Sequence, residues 1–435
     1  MILKTSFTKY ENEIAELLKS FEMFGDTGEF SLFVDGGWIS GGEFNVTVTG
    51  DAFGNFIKKY CFRVTDADRF YEGGSFLMTS DAVTKRLEKR YLKIAVYRTV
   101  SFLTGINLPY GALTGIRPSK LYTELIGTGR ADEMFSDDFS VSRSKLSLIK
   151  KIVENQEKSR PISGREVSVF INIPFCPTRC AYCSFISATV AKYADKMGCY
   201  KDCVLRELSL LKTIVREQDF SVRSVYVGGG TPTSIPLPLL SEILASASDF
   251  KPSEFTVEAG RPDTLDLETV DALDRAGVTR VSVNPQTFND KTLIRIGRAH
   301  TSEEAVYAFG LVRKRFITNM DLIAMLPGET RDDFQYSVER AIELSPDNIT
   351  VHMLSMKKGS TLKLADYKVS DAALAAAAID LSAAALEKVG YSPYYMYRQK
   401  YAGGCLENAG YAKPGRECVY NIDMMEERTS ILAAG

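Results

Sequence analysis

The sequence predicts an α/β protein whose centre is a partial (β/α)6 TIM-type barrel, with an N-terminal α+β domain before it and a C-terminal extension after it. Three observations predict this. From Val167 onward, short β-branched runs alternate with helical patterns: VSVFINI, SVYVGGG, EFTVEAG, RVSVNPQ, NMDLIAML and NITVHML. Strands alternating with helices form parallel sheets with crossover connections, and six of them favour an incomplete barrel. A polar segment, ENQEKSRPISGRE (Glu154 to Glu166), separates this pattern from a first third of different character. Three cysteines, Cys176, Cys180 and Cys183, follow the first strand, at the end where barrels carry their active sites. The expected domains are residues 1–160, 161–360 and 361–435.

In chain order, an amphipathic helix from Glu11 to Phe21 opens the first domain. The alternating runs FSLFV, EFNVTVT and CFRVT, separated by Gly-rich turns such as Asp35-Gly36-Gly37, predict a small antiparallel sheet. A long helix is expected from an N-cap at Ser80 to a stop near Gly105, because Val83, Leu87, Tyr91, Ile94 and Ala95 recur at helical spacing. The segment LPYGALTGIRPSK, with Arg117 and Lys120, reads as an anion-binding loop or as a helix cap, the cap being the commoner. Beyond the barrel, an alanine-rich helix from an N-cap at Ser370 to Gly390 packs against it. The tail that follows is dense in aromatics and glycine, and its apolar end reads as a truncated C-terminus.

Lys+Arg 53 against Asp+Glu 55 leaves a net charge of -2, so overall charge makes no case for nucleic acid or an acidic membrane surface. The first residues lack a signal sequence, and no apolar stretch spans a bilayer without charges. A cytoplasmic protein is expected. There, eight cysteines mean thiols or metal ligands, not a disulfide framework.

Three thiols in FINIPFCPTRCAYCS are short-spaced enough to wrap one compact metal centre. A cubane [4Fe-4S] cluster normally takes four cysteines, so three leave one iron open to a substrate. A zinc knuckle, a thioredoxin-like Cys180/Cys183 pair and plain buried cysteines are the alternatives, and the downstream features favour the cluster. Gly228-Gly229-Gly230-Thr231 after the second strand lets the backbone approach a ligand closely. Glu258 ends the third strand, Gln286 the fourth, and Asp321 lies on the fifth. Three polar groups at equivalent ends of strands buried on both faces point to a site. His300 and His352 read as structural histidines satisfied by hydrogen bonds. Cys199 and Cys203, four apart on a helix, read as buried against the barrel.

At the cysteine loop the chain resembles the radical S-adenosylmethionine (SAM) superfamily. With GGGTPT, VEAGRPDTL, VNPQTFND, GRAHT and MDLIAMLPGET, it resembles the oxygen-independent coproporphyrinogen III oxidase (coproporphyrinogen dehydrogenase) family. LTGIRPSK and ENAGYAKPG are similar to the branch with a long N-terminal extension. The resemblance implies a barrel of the radical SAM type, with Cys176, Cys180 and Cys183 on a [4Fe-4S] cluster whose fourth iron binds SAM. It implies SAM contacts from Phe170, Tyr182, Gly229, Gly230, Thr231, Glu258, Gln286, Arg298, Asp321 and Ile323, with Arg298 pairing with a SAM carboxylate or a barrel Glu. It assigns no catalytic residue beyond the cluster and SAM. The implied reaction is oxidative decarboxylation of two propionates of coproporphyrinogen III to the vinyls of protoporphyrinogen IX. Its implied partners are a porphyrinogen substrate or heme and an electron donor such as a flavodoxin or ferredoxin. Phe170 stands where oxidases of the family carry Tyr, and Ser184-Phe185 where they carry a further Cys. Ser184-Phe185 is closer to the related heme chaperones, although Tyr420-Asn421-Ile422 lacks the His of their C-terminal motif. A heme-binding chaperone is therefore the alternative.

Overall fold

The computed structural model describes residues 1–39, 41–51, 54–65, 80–158, 162, 164–183, 188–355, 359–364, 372–399 and 405–435. Two compact units divide it. One comprises Met1–Val153, Asp371–Ala376 and Arg398–Leu406; the other comprises Glu154–Ser370, Ala377–Tyr397 and Glu407–Gly435.

In the first unit, β1 (Ile2–Thr5) lies parallel to β2 (Ser31–Ile39), and β2, β3 (Glu43–Gly50) and β4 (Phe56–Arg63) pair antiparallel. The sheet is thus mixed and not purely antiparallel, because the four residues of β1 are too few to show a period of two. Asp35-Gly36-Gly37 lies inside β2 and not in a turn. Gly36 is there for space: a Cβ would lie 2.1 Å from the carbonyl oxygen of Asn45 on the paired strand. Leu32, Val34, Phe44, Val46 and Val48 form the buried face. Against it lie α1 (Glu11–Phe24) and α2 (Ser80–Thr104), whose Ile14, Leu17, Phe21, Leu87 and Tyr91 are buried. Arg117 stands at the N-cap of α3 (Pro118–Ile126) with no side-chain capping bond, Pro118 supplying the first helical residue. Helix α4 (Arg143–Glu157) runs into the polar segment that follows.

Among the described residues, the second unit is built on a nine-stranded sheet. The six expected strands are β5 (Glu166–Ile173), β6 (Ser221–Gly229), β7 (Glu254–Glu258), β8 (Arg280–Ser282), β9 (Ile317–Ala324) and β10 (Asn348–Met353). They lie side by side in chain order, all parallel. Helices α5 (Met197–Glu217), α6 (Leu237–Ser248), α7 (Leu267–Arg275), α8 (Asp290–Arg295), α9 (Ser302–Val312) and α10 (Arg331–Leu344) connect them. Their starts are legible in the residues: Asp266 and Asn289 accept backbone N–H bonds at N-caps, and Thr301/Glu304 and Thr330/Asp333 form capping boxes. After β10 come α11 (Thr361–Leu364) and α12 (Ala372–Lys388); Ser370, the expected N-cap, lies outside the described residues.

The C-terminal segment supplies the other strands. β11 (Ser392–Arg398) and β12 (Glu407–Ala412) extend the sheet beyond β10, with β12 antiparallel to it. After α13 (Val419–Glu426), β13 (Ser430–Ala434) adds to the opposite edge, parallel to β5. The sheet remains an open, partial barrel. Glu254, at the start of β7, caps α13 by accepting from the backbone N–H groups of Val419 and Tyr420, each at 3.1 Å. The guanidinium of Arg223 on β6 meets Asp423 of α13 at 2.8 Å, both side chains buried. These charges lie at the starts of β6 and β7, at the other end of those strands from the glycine turn and Glu258.

Candidate active site at the strand ends

The cysteine loop leaves β5 through Phe175–Cys176, which pairs in parallel with Ala188–Thr189. The loop is stitched to its neighbours: Ala181 N–H donates to Ile296 O at 2.9 Å, and the Thr178 hydroxyl to Gly297 O at 3.2 Å. Cys176 Sγ lies 3.4 Å from Thr231 Oγ1, and Cys180 Sγ lies 3.8 Å from Nη1 of buried Arg261. None of the eight cysteines is in a disulfide. Among the described residues no three His, Cys, Asp or Glu side chains converge on a single-ion position. Ser184-Phe185 lies outside the described residues.

The glycines after β6 draw that strand's end onto the loop. Gly230 N–H donates to Ile173 O and Thr231 N–H to Phe175 O, both at 2.7 Å. Gly229 has φ +104°, and a Cβ there would sit 2.1 Å from Asn172 Oδ1; one on Gly230 would sit 2.5 Å from Phe175 O. Only glycine meets both demands, the left-handed backbone and the close approach.

Around this cradle stand the polar side chains of the next strands. Tyr226 donates its hydroxyl to Glu258 Oε1 at 2.5 Å. Burial pushes the Glu258 carboxyl up to about 7, the negative charge of Asp321 adding to this and the Tyr226 hydrogen bond opposing it. Burial also raises Asp321, but the imidazole of His352, 3.6 Å away, and the Asn319 amide at 2.9 Å outweigh it and hold the carboxyl below its ordinary range. Gln286 lies past the end of β8 and bridges to β9: its N–H donates to Asp321 O at 3.0 Å, and its carbonyl accepts from Ile323 N–H at 2.9 Å. Its φ is +69°, and its side-chain Oε1 is buried without a hydrogen-bond partner. Arg298 donates to the carbonyls of Gly260 and Asn284 and to the Tyr182 hydroxyl at 3.0 Å, so its partners here include no barrel Glu. Ile323 is buried, with His352 as its register partner on β10. Phe170 stacks against Tyr226 and Tyr420, each 6.4 Å between ring centroids.

Three groups at the site were not picked out from the sequence. Tyr226 is the register partner of Phe170, and parity along VYVGGG was the signal that it faces inward. His352, read as purely structural, shares the inward parity of Thr350, lies beside Asp321, and has Nδ1 3.4 Å from the Tyr397 hydroxyl. Arg261, held by Asp263 at 3.1 Å, backs Cys180. Two expectations are corrected. His300 is buried, but neither ring nitrogen has a hydrogen-bond partner; Asp263 stands 3.7 Å away, beyond bonding distance. Cys199 and Cys203 are exposed and not buried, because Met197, Val204 and Leu208 define the inner face of α5 and put both cysteines on the opposite side.

A family model described as the Radical SAM superfamily matches residues 171–341. The chain is 36% identical over 407 residues to the oxygen-independent coproporphyrinogen-III oxidase-like protein HemZ of Bacillus subtilis, covering 90% of this chain and 79% of that one. The chain belongs to the radical SAM coproporphyrinogen-III oxidase-like family. Within that family it is also 32% identical over 201 residues to the Bacillus subtilis heme chaperone HemW, spanning 43% of this chain and half of that protein. Among solved structures it is similar to the coproporphyrinogen III oxidase HemN of Escherichia coli, with a TM-score of 0.50 and 21% identity over 65% of this chain and 66% of that one. At that identity the likeness concerns the fold, the open barrel described above. Radical SAM proteins use a [4Fe-4S] cluster and SAM. The residues present fit both: three loop thiols, a glycine turn that holds the end of β6 against that loop, and a buried Gln286 Oε1 with no hydrogen-bond partner.

Proposed function

We propose that this protein is a radical SAM coproporphyrinogen dehydrogenase, which decarboxylates coproporphyrinogen III oxidatively to protoporphyrinogen IX without oxygen. One observation carries the reading. The cysteine loop, the glycine turn, Glu258 and Gln286 follow or end successive strands, with Asp321 on β9 and Arg298 in the segment after α8, in a chain alike to an oxidase-like relative over nearly its whole length. Cys176, Cys180 and Cys183 would hold the cluster. When bound, the cluster and SAM supply a 5'-deoxyadenosyl radical able to abstract hydrogen from a propionate. The chain's own part is placement. Gly229 and Gly230 let a SAM polar end lie against backbone, while Glu258 and Asp321 put negative charge beside its sulfonium. Gln286 Oε1 offers an acceptor, and Arg298 holds Tyr182 against the loop. Phe170, Tyr226 and Tyr420 stack as an apolar wall that excludes water.

The test is anaerobic reconstitution followed by SAM, a reductant and coproporphyrinogen III. Protoporphyrinogen formed in step with 5'-deoxyadenosine is the expected result. A second reading, a heme chaperone of the same family, is favoured by Phe170 in place of a phenol and by the likeness to HemW. Tight one-to-one heme binding, with SAM cleavage but no porphyrin product, would decide for it.

A further inference from the structure

Arg261 follows the end of β7 and reaches the cysteine loop from there. Its backbone is pinned. Pro262 restricts it to extended conformations, observed at φ -122° and ψ 108°, and its carbonyl accepts from the N–H and the hydroxyl of Thr264 at 3.0 and 2.7 Å. The side chain is buried, 3% exposed, and grips in two directions. Nε and Nη2 donate to the two carboxylate oxygens of Asp263 at 3.1 and 3.3 Å. Nη1 donates to Thr178 Oγ1 at 3.0 Å and toward Cys180 Sγ at 3.8 Å. A guanidinium held bidentately on one side is fixed on the other, so one edge of a buried cation faces one sulfur of the loop. Asp263 compensates that charge, as a buried ion requires. A second guanidinium, Arg298, meets the loop at the Tyr182 hydroxyl, with backbone carbonyls as its other partners.

We propose that Arg261 raises the reduction potential of the centre held by the three cysteines and that Asp263 limits the rise. The inference rests on reading Cys176, Cys180 and Cys183 as cluster ligands. Potentials of iron-sulfur centres follow net charge, burial and hydrogen bonds to the sulfurs. On reduction the centre takes one electron from a low-potential donor and no proton, passing from 2+ to 1+. A fixed cation 3.8 Å from a ligand sulfur stabilises the more negative state, and the carboxylate behind that cation opposes it. Arginine stays protonated in proteins, so the bias does not titrate. Arg261 and Asp263 therefore act on the potential with opposite signs, whereas a pair that only held the loop in place would show the same loss on removal of either half.

The experiment uses the full chain with anaerobically reconstituted cluster, without SAM, and the variants R261M, R261K and D263N. Iron and sulfide are assayed first. The midpoint potential is then measured by potentiometric titration with titanium(III) citrate, read by electron paramagnetic resonance. R261M should disfavour reduction about tenfold or more, a shift of about 59 mV to more negative potential. D263N keeps the shape of the carboxylate and an acceptor for the guanidinium but loses the charge, so its potential should move to the positive side of wild type. R261K keeps the charge and loses the fork, and should fall between R261M and wild type. Where R261M takes up no iron, R261K stands in its place in the comparison. An arginine variant at or above the wild-type potential, or D263N at or below it, would overturn the proposal and leave the cysteine assignment standing. A wild-type chain that binds no iron would overturn both.

Discussion

Glu258 places a buried carboxyl at about 7 and Asp321 stays below its ordinary range, so two acids on the strands either side of β8 have different charge near neutrality. The consequence for SAM follows from charge. Its sulfonium is a fixed cation and binds best to ionised Glu258, so affinity should rise as pH climbs from 6 to 8, with proton release on binding near pH 7. In E258Q that pH dependence should flatten; an unchanged slope by calorimetry would remove Glu258 from the SAM contacts. For stability the sign is opposite. With its pKa raised from the ordinary 4.5, folded Glu258 keeps a proton that the unfolded chain has lost, so this residue makes the unliganded protein less stable as pH rises from about 4.5 to about 7, by roughly 3 kcal/mol. Asp321 is read through SAM alone. D321A should weaken SAM binding while leaving iron content intact, and normal affinity would exclude it. Each of C176A, C180A and C183A should lose the cluster absorbance and all SAM cleavage, with iron analysis as the check.

At the scale of elements, the site depends on how strand ends meet. The turn after β6 needs glycine at two successive positions for two reasons, a left-handed φ at Gly229 and backbone crowding at Gly230. G230A should force Phe175 and the cysteine loop apart, costing roughly 1–3 kcal/mol in denaturant unfolding and lowering SAM affinity. These elements were legible because glycine runs, N-caps and apolar alternation act over a few residues. Strand β1 and the in-strand glycines of β2 were not, since β1 is decided by its partner strand and Gly36 by the carbonyl of Asn45 opposite. The reversed placement of Cys199 and Cys203 has the same cause. Spacing shows that two residues share a helix face, but only the packing of Met197, Val204 and Leu208 decides which face is inward.

At the scale of the barrel unit, the C-terminal segment is part of the fold. Residues from Glu407 onward add a strand to each side of the six-stranded core, and α13 packs Tyr420 against Phe170 and Tyr226. The buried Arg223–Asp423 pair ties that helix down, although burial holds the Asp423 carboxyl up at about 6 against the pull of Arg223. R223M removes the guanidinium bonded to Asp423 and should destabilise the unit by about 3–5 kcal/mol, read by urea unfolding of the barrel transition. A change within experimental error would show the pair to be dispensable. Among the described residues no helix is long and apolar enough to cross a membrane.

By itself the sequence determined the order of the six parallel strands, the cysteine loop after the first, and the acids and amide at the strand ends. These are local signals: periodicity of two, thiol spacing, and polar residues in strands buried on both faces. The tertiary structure alone decided that Tyr226 donates to Glu258, that His352 stands against Asp321, that Arg298 holds Tyr182, and that the last strand lies beside the first. Each joins residues far apart in the chain, and side-chain partners of that kind are set by strand register and burial, which no local pattern encodes.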